Sequence, residues 1–226
     1  MPNARRRLER ERNVGAVVFD LDGVLVDSEP IHFRATNRVL ARFGQSIGEA
    51  EYRSFIGIGE RASWTAWCAQ RGITVPVAEL LAAHTRARLE EIAAGVEPIA
   101  EAVALAHQLH AAGLPLALAS SSTRAVIDAL LAALGLGEVL AVRVSGEDPE
   151  VRASKPAPDV YLLAAARLRL APAACVAIED SGPGVSAAHN AGMFCVAVPN
   201  RWTADQDFRD ADVVLESLRY FPLLVL

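Results

Sequence analysis

Lysine is all but missing from this 226-residue chain: of its 22 Lys and Arg residues one is lysine, at position 155, and the rest are arginine. Long apolar runs are missing too. No stretch reaches the roughly 18 residues of a transmembrane helix, so a membrane-spanning function is not expected. Aromatic residues make up 6% of the chain, while Ala, Leu and Val dominate, a composition suited to helices packed on a sheet. Cysteine is scarce as well: Cys68, Cys175 and Cys195 are odd in number, have no close partners in sequence and lack zinc-finger spacing. They read as reduced, packed residues of a cytoplasmic protein. Positive charge is in deficit, with a formal net charge of −5, which argues against a nucleic-acid or anionic-membrane partner. The opening "MPNARRRLERERN" is basic but has no apolar h-region. It therefore does not read as a secretory signal, and residues 1–13 are expected to be a disordered tail.

What is present has a clear rhythm. The β-branched run from Val14 to Phe19 ends in "DLDG", a buried strand entering a turn. From Pro30 to about Ala94 the apolar spacing is helical, with Pro30 at a helix start and Gly44 at a stop, giving three or four helices and no strand. After Gly95, helices alternate with the apolar runs 114–120, 139–144, 174–180 and 193–200, and "ADVVLESL" supplies a last strand. Such alternation means right-handed βαβ units and a parallel sheet. The predicted architecture is an α/β core of residues 14–28 and 95–226, helices on both faces, with a helical domain of residues 29–94 inserted after the first strand. At 226 residues, burial of roughly 70% of the unfolded surface suffices for folding without disulfide or structural metal.

Ligands of open α/β sheets sit at the carboxyl ends of strands. That rule selects Asp20 and Asp22, Ser120, the segment around Lys155, and Glu179 with Asp180. Asp20 and Asp22, two apart on leaving a strand, point to the same side. An EF-hand loop is excluded, because Gly23 stands fourth rather than sixth. Taken alone, "DLDG" is equally a solvated turn. Ser120 is also placed to cap the helix "RAVIDALL" that follows it.

Together and in order, "DLDGVLVDSE", "LALASSS", "SKPAPD" and "AIEDSGPG" resemble the four motifs of the haloacid dehalogenase-like hydrolases. The likeness runs from Val14 to about Leu218. The insertion opening with "DSEPIH" resembles the branch of β-phosphoglucomutase and small-sugar phosphatases, whose fold is a Rossmann-like core under a mobile α-helical cap. The resemblance implies Asp20 as nucleophile, forming an aspartyl phosphate, and Asp22 as the acid and then base. It implies that Ser120, with the amide at Ser121, holds a phosphoryl oxygen. Mg²⁺ would be bound by Asp20, Asp180 and the backbone carbonyl of Asp22, with Glu179 ligating it or orienting its waters. Gly23, Glu29, His32, Gly57 and Arg61 are the further substrate-side candidates. The implied partner is a small phosphorylated metabolite, and a monomer is compatible with everything above.

Charge supports this set. Four carboxylates against one lysine leave a deficit into which no phosphate dianion comes unaided, since two like charges 4 Å apart cost about 4 kcal/mol at an effective dielectric near 20. A hard divalent cation on oxygen ligands supplies the compensation. Lys155 fits the same need, because a compact ammonium touches a carboxylate and a phosphoryl oxygen where arginine's planar fork would need more room. Pro156 and Pro158 stiffen the segment that presents it.

Within the family, Asp22 favours phosphoryl transfer over dehalogenation, and the lack of a cap lysine disfavours phosphonoacetaldehyde hydrolysis. The mutase remains the alternative. It grips a second phosphate with a cap arginine soon after a glycine, and in "FIGIGERAS" Glu60 takes that place, with Arg61 one position later. This favours a phosphatase. Trp64 and Trp67 are expected to pack between cap helices. His84, His107 and His110 are expected to be half-exposed and structural, and His189 to lie on a helix surface.

Overall fold

The computed structural model of the chain describes residues 14–56 and 59–221. Six parallel strands form one sheet: β1 (Ala16–Phe19), β2 (Leu116–Ser120), β3 (Val142–Ser145), β4 (Cys175–Glu179), β5 (Phe194–Ala197) and β6 (Val213–Val214), in the order β3-β2-β1-β4-β5-β6. "AVVF", "LALAS", "CVAIE" and "FCVA" are buried along their whole lengths, as strands covered on both faces must be. β6 has shrunk to two residues, where "ADVVLESL" suggests a longer strand. Its register ends at Val214, which is exposed, so neither face carries the sheet further.

Alternation along each strand builds two cores. Val17, Phe19, Leu118 and Ile178 face one side, under α5 (Ala100–Ala111) and α6 (Arg124–Ala133). Ala16, Val18, Ala117, Ala119 and Ala177 face the other, where their small side chains let α7 (Asp159–Leu168) and α8 (Gly182–Asn190) pack closely. Between β1 and β2 lie α1 (Glu29–Ala41), α2 (Glu49–Arg53), α3 (Glu60–Arg71) and α4 (Val77–Ala94), which enclose a third apolar cluster of their own. Trp64 and Trp67 are its anchors, fully buried and stacked edge to face at 5.2 Å between centroids. The three cysteines are buried and free.

Because the chain leaves β1 toward β2 on one side and returns at β4 on the other, β1 lies at the switch of strand order, the place where open sheets form their crevice. Phe19 pairs in register with Leu118 of β2 and Ile178 of β4. Asp20 therefore emerges level with Glu179 and Ala119, with Ser120 one residue further along β2. Among the described residues, no helix is long and apolar enough to cross a membrane.

Candidate active site

Lys155 stands at the centre of the crevice. Its Nζ lies 2.5 Å from Asp20 Oδ1 and 2.5 Å from Glu179 Oε1, donates to the carbonyl of Ala119 at 3.2 Å, and sits 5.0 Å from the centroid of the Tyr161 ring. Glu179, wholly buried at the end of β4, accepts from five donors: Lys155 and the Tyr161 hydroxyl (2.6 Å) on Oε1, and the amides of Asp180 and Ser181 and the Ser181 hydroxyl on Oε2. Asp180 lies beside it and accepts from Asn200 Nδ2 at 2.7 Å. Oxygens of Asp20, Glu179 and Asp180 come within 4.8 Å of one another.

Three buried carboxylates face one ammonium here, and protonation follows from that. Burial raises Asp20 to about 8, with Lys155 opposing and the charges of Glu179 and Asp22 adding to the rise. Asp180 is likewise pushed well up, by burial and then by its acidic neighbours. Burial would loosen the proton of Lys155, but its two carboxylates outweigh that effect, so it holds the proton more tightly than a free lysine does. An oxygen-only donor set with surplus negative charge matches Mg²⁺, which takes one or two carboxylates and keeps several waters.

Packing around these groups leaves no slack. At Gly184 an added Cβ would fall 2.0 Å from Glu179 Oε1; at Gly23, which has φ +83°, it would fall 2.1 Å from Asp180 Oδ2. Gly184→Ala is therefore expected to lower stability by about 1–3 kcal/mol, the range for overpacking a filled core, read as an earlier midpoint in chemical unfolding. An unchanged midpoint would mean that Glu179 can move aside freely.

Asp22 faces the helical layer instead. Ser122 Oγ donates to its Oδ2 at 2.9 Å, and Arg88 Nη2 of α4 and His32 Nε2 of α1 approach its Oδ1 at 3.4 and 3.5 Å. Burial would raise Asp22, but the His32 contact and the Arg88 guanidinium outweigh it and hold the group well below the usual carboxylate range. Arg88 is 1% exposed and also binds Ser122 Oγ (3.1 Å) and Glu60 Oε1 (2.9 Å), so one guanidinium joins the helical layer to two loops of the sheet. Arg88 and Ser122 are the residues that sequence reasoning missed. Arg88 hides among the arginines of "HTRARLEE", although α4 buries Leu80, His84, Arg88 and Ile92 on one face, and two basic residues in an apolar stripe are a usable signal.

Other expectations need correction. Ser120 is not the cap of α6: Thr123 takes the N-cap position without a side-chain bond, and Ser120 Oγ accepts the amide of Ser122 at 3.0 Å. Ser121 is exposed beside it. His84 is 2% exposed rather than half-exposed, because it packs between α1 and α3, and burial lowers its pKa; His107, His110 and His189 are exposed. Arg61 is exposed on α3, and its neighbour Glu60 turns inward to Arg88 and His84. Glu29 accepts from the Tyr52 hydroxyl at 2.6 Å. Gly57 lies outside the described residues, as does the expected tail.

Known proteins resemble this chain over most of its length. Protein CbbY of Rhodobacter capsulatus is 37% identical over 207 residues, covering 87% of this chain and 90% of that protein. Hexitol phosphatase B of Escherichia coli is 34% identical over 213 residues, covering 92% and 94%. Among solved structures, CbbY of Rhodobacter sphaeroides in complex with xylulose-(1,5)bisphosphate superposes with a TM-score of 0.87 at 29% identity, covering 94% of this chain and all of that one. β-Phosphoglucomutase of Clostridium difficile, 22% identical with a TM-score of 0.76, shares the fold. The profile of the haloacid dehalogenase-like hydrolases matches residues 14–192, and this chain, an enzyme of the hydrolase class, belongs to that family.

Proposed function

We propose that the chain is a Mg²⁺-dependent phosphatase of a small sugar or polyol phosphate, working through an aspartyl phosphate on Asp20. The observation that carries this reading is Lys155 Nζ, 2.5 Å from Asp20, which lies 135 residues earlier in the chain, and 2.5 Å from Glu179. Glu179 already accepts five hydrogen bonds, so its role is to hold Lys155. That leaves Asp20, Asp180 and the backbone carbonyl of Asp22 to bind the metal. When bound, Mg²⁺ supplies positive charge against which an anionic nucleophile and a phosphate dianion can meet.

Asp20 attacks phosphorus, forming a carboxyl–phosphate bond as the ester P–O bond breaks. Asp22 gives its proton to the departing alkoxide. It then takes a proton from water, whose oxygen attacks the acyl phosphate and frees inorganic phosphate and the Asp20 carboxylate. Asp22 as it stands, ionised against Arg88 and His32, is in the form the second half needs. The entering ester must displace Arg88 for Asp22 to gain the proton of the first half. Lys155 and the Ser120–Ser121 turn receive the phosphoryl oxygens, and residues 29–94 act as the cap that Arg88 fastens over them.

Names among the relatives, such as hexitol phosphatase B and the fructose-1-phosphate phosphatase of Escherichia coli, support the substrate class. A panel of sugar and polyol phosphates, assayed with Mg²⁺ and with EDTA, is expected to release phosphate only with the cation. If β-glucose 1-phosphate with a bisphosphate primer instead gives glucose 6-phosphate faster than free phosphate, the enzyme is a mutase.

A further inference from the structure

A second group of metal-ligand side chains lies in the helical layer, away from the oxygen cluster. His32 of α1, Glu60 at the start of α3 and His84 of α4 bring one donor atom each within 4.8 Å of the others. His84 Nδ1 is 3.5 Å from Glu60 Oε2, and His32 Nδ1 is 3.9 Å from Glu60 Oε1. A tetrahedral ion with bonds of about 2.0–2.1 Å holds its ligand atoms about 3.3–3.4 Å apart; His84 Nδ1 and Glu60 Oε2 already stand near that spacing, and the three donors, within 4.8 Å of one another, draw closer on binding.

The outward nitrogens are arranged as metal-bound imidazoles require. A ligating histidine passes its other N–H to a carboxylate, carbonyl or similar acceptor, which fixes the ring. His32 Nε2 faces Asp22 Oδ1 at 3.5 Å; His84 Nε2 faces Thr36 Oγ1 at 3.3 Å and the carbonyl of His32 at 3.5 Å. Both rings thus turn Nδ1 toward Glu60. His84 Nδ1 is buried, and its facing acceptor is Glu60 Oε2 at 3.5 Å, too long for a well-formed hydrogen bond.

We propose that His32, Glu60 and His84 form a site for a borderline divalent transition metal of the Zn²⁺ class, distinct from the hard-cation cluster of Asp20 and Asp180. Imidazole nitrogen with one carboxylate suits Zn²⁺ or Co²⁺, whereas Mg²⁺ prefers oxygen throughout. Arg88 does not block the site. Its Nη1 holds Glu60 Oε1, the oxygen that also faces His32, and leaves Oε2, directed at His84, as the oxygen that takes the ion. The two carboxylates of Asp22 and Glu60 against one guanidinium also leave the pocket net negative before the ion enters. Water or an anion completes the fourth position. An ion held there ties α1, α3 and α4 together directly above Asp22.

The test reads metal binding, so it is independent of whether the enzyme is a phosphatase. Full-length protein stripped with EDTA is titrated with Co²⁺, and the visible absorption of tetrahedral Co²⁺ is followed. Asp180→Asn serves as the background in which the oxygen cluster is disabled, with circular dichroism confirming the fold of every variant. The band is expected to appear in wild type and in Asp180→Asn, to be bleached by Zn²⁺, and to vanish in His84→Gln. Glu60→Gln, a gentler change at a less buried position, is expected to weaken Co²⁺ binding at least about tenfold. No tetrahedral band in folded wild type would overturn the proposal. So would a band that survives both His84→Gln and Glu60→Gln, or one lost in Asp180→Asn alone.

Discussion

Asp20→Asn is expected to cut phosphate release by on the order of 10⁴-fold or more, the scale on which enzymes lose activity with their nucleophile. The folded protein should survive the change. The amide that replaces the carboxylate keeps an oxygen for Lys155, and Lys155 retains Glu179. Linkage makes the distinction measurable. Burial raises Asp20 from 3.8 to about 8, so the folded state holds this proton longer than the unfolded one, and the metal-free wild type loses stability as pH rises from about 4 to 8. The asparagine variant lacks that ionisation and should lose less. Chemical unfolding in EDTA at pH 5 and pH 8, run beside a phosphate-release assay, separates the two effects. Substantial turnover in the variant would remove Asp20 from the chemistry.

Lys155→Met should damage both stability and activity. The lysine is the one cation within bonding distance of Asp20 and Glu179 among the described residues, and removing one partner of a buried ionic group costs about 3–5 kcal/mol. The loss should be greatest at neutral and alkaline pH and shrink on acidification, because Asp20 and Asp180 are raised and take up protons first. Turnover should fall by about 10²–10³ or more, as for loss of a donor that steadies the transferring group. Lys155→Arg returns the charge and part of the stability. Its wider, planar head has no room beside Tyr161 and the Ala119 carbonyl, so activity stays low. Full activity in Lys155→Arg would show that charge alone is what the position supplies.

Much of this site can be read from the chain before any coordinates. The strands are legible because β1, β2, β4 and β5 are buried on both faces and so written in unbroken apolar residues, and each run ends abruptly in a polar residue that the sheet then sets beside its neighbours. Lys155 is legible through its rarity. What resists reading is whatever arrives from the helical layer. Arg88, His84 and Glu60 lie in helices whose register against the sheet is set by the packing of Trp64, Trp67 and their neighbours, and no local pattern says which end of which helix will overhang β1. Glu60 illustrates the point. Its position in "FIGIGERAS" marks it as a charge facing the substrate, but the fold makes it the counter-ion of Arg88 and the neighbour of two histidines. Ser122 escapes for a different reason: three serines in a row look interchangeable, and only the turn after β2 decides which hydroxyl meets Asp22.

The order of the strands has one last implication, for how the protein is made. A ribosome delivers Asp20 early and Lys155 135 residues later, with Glu179 further on still. Until β4 has slotted in beside β1, the first aspartate lacks its wall and Lys155 lacks its second carboxylate. A half-synthesised or truncated polypeptide is thus expected to lack the assembled site, which needs β4 in place beside β1.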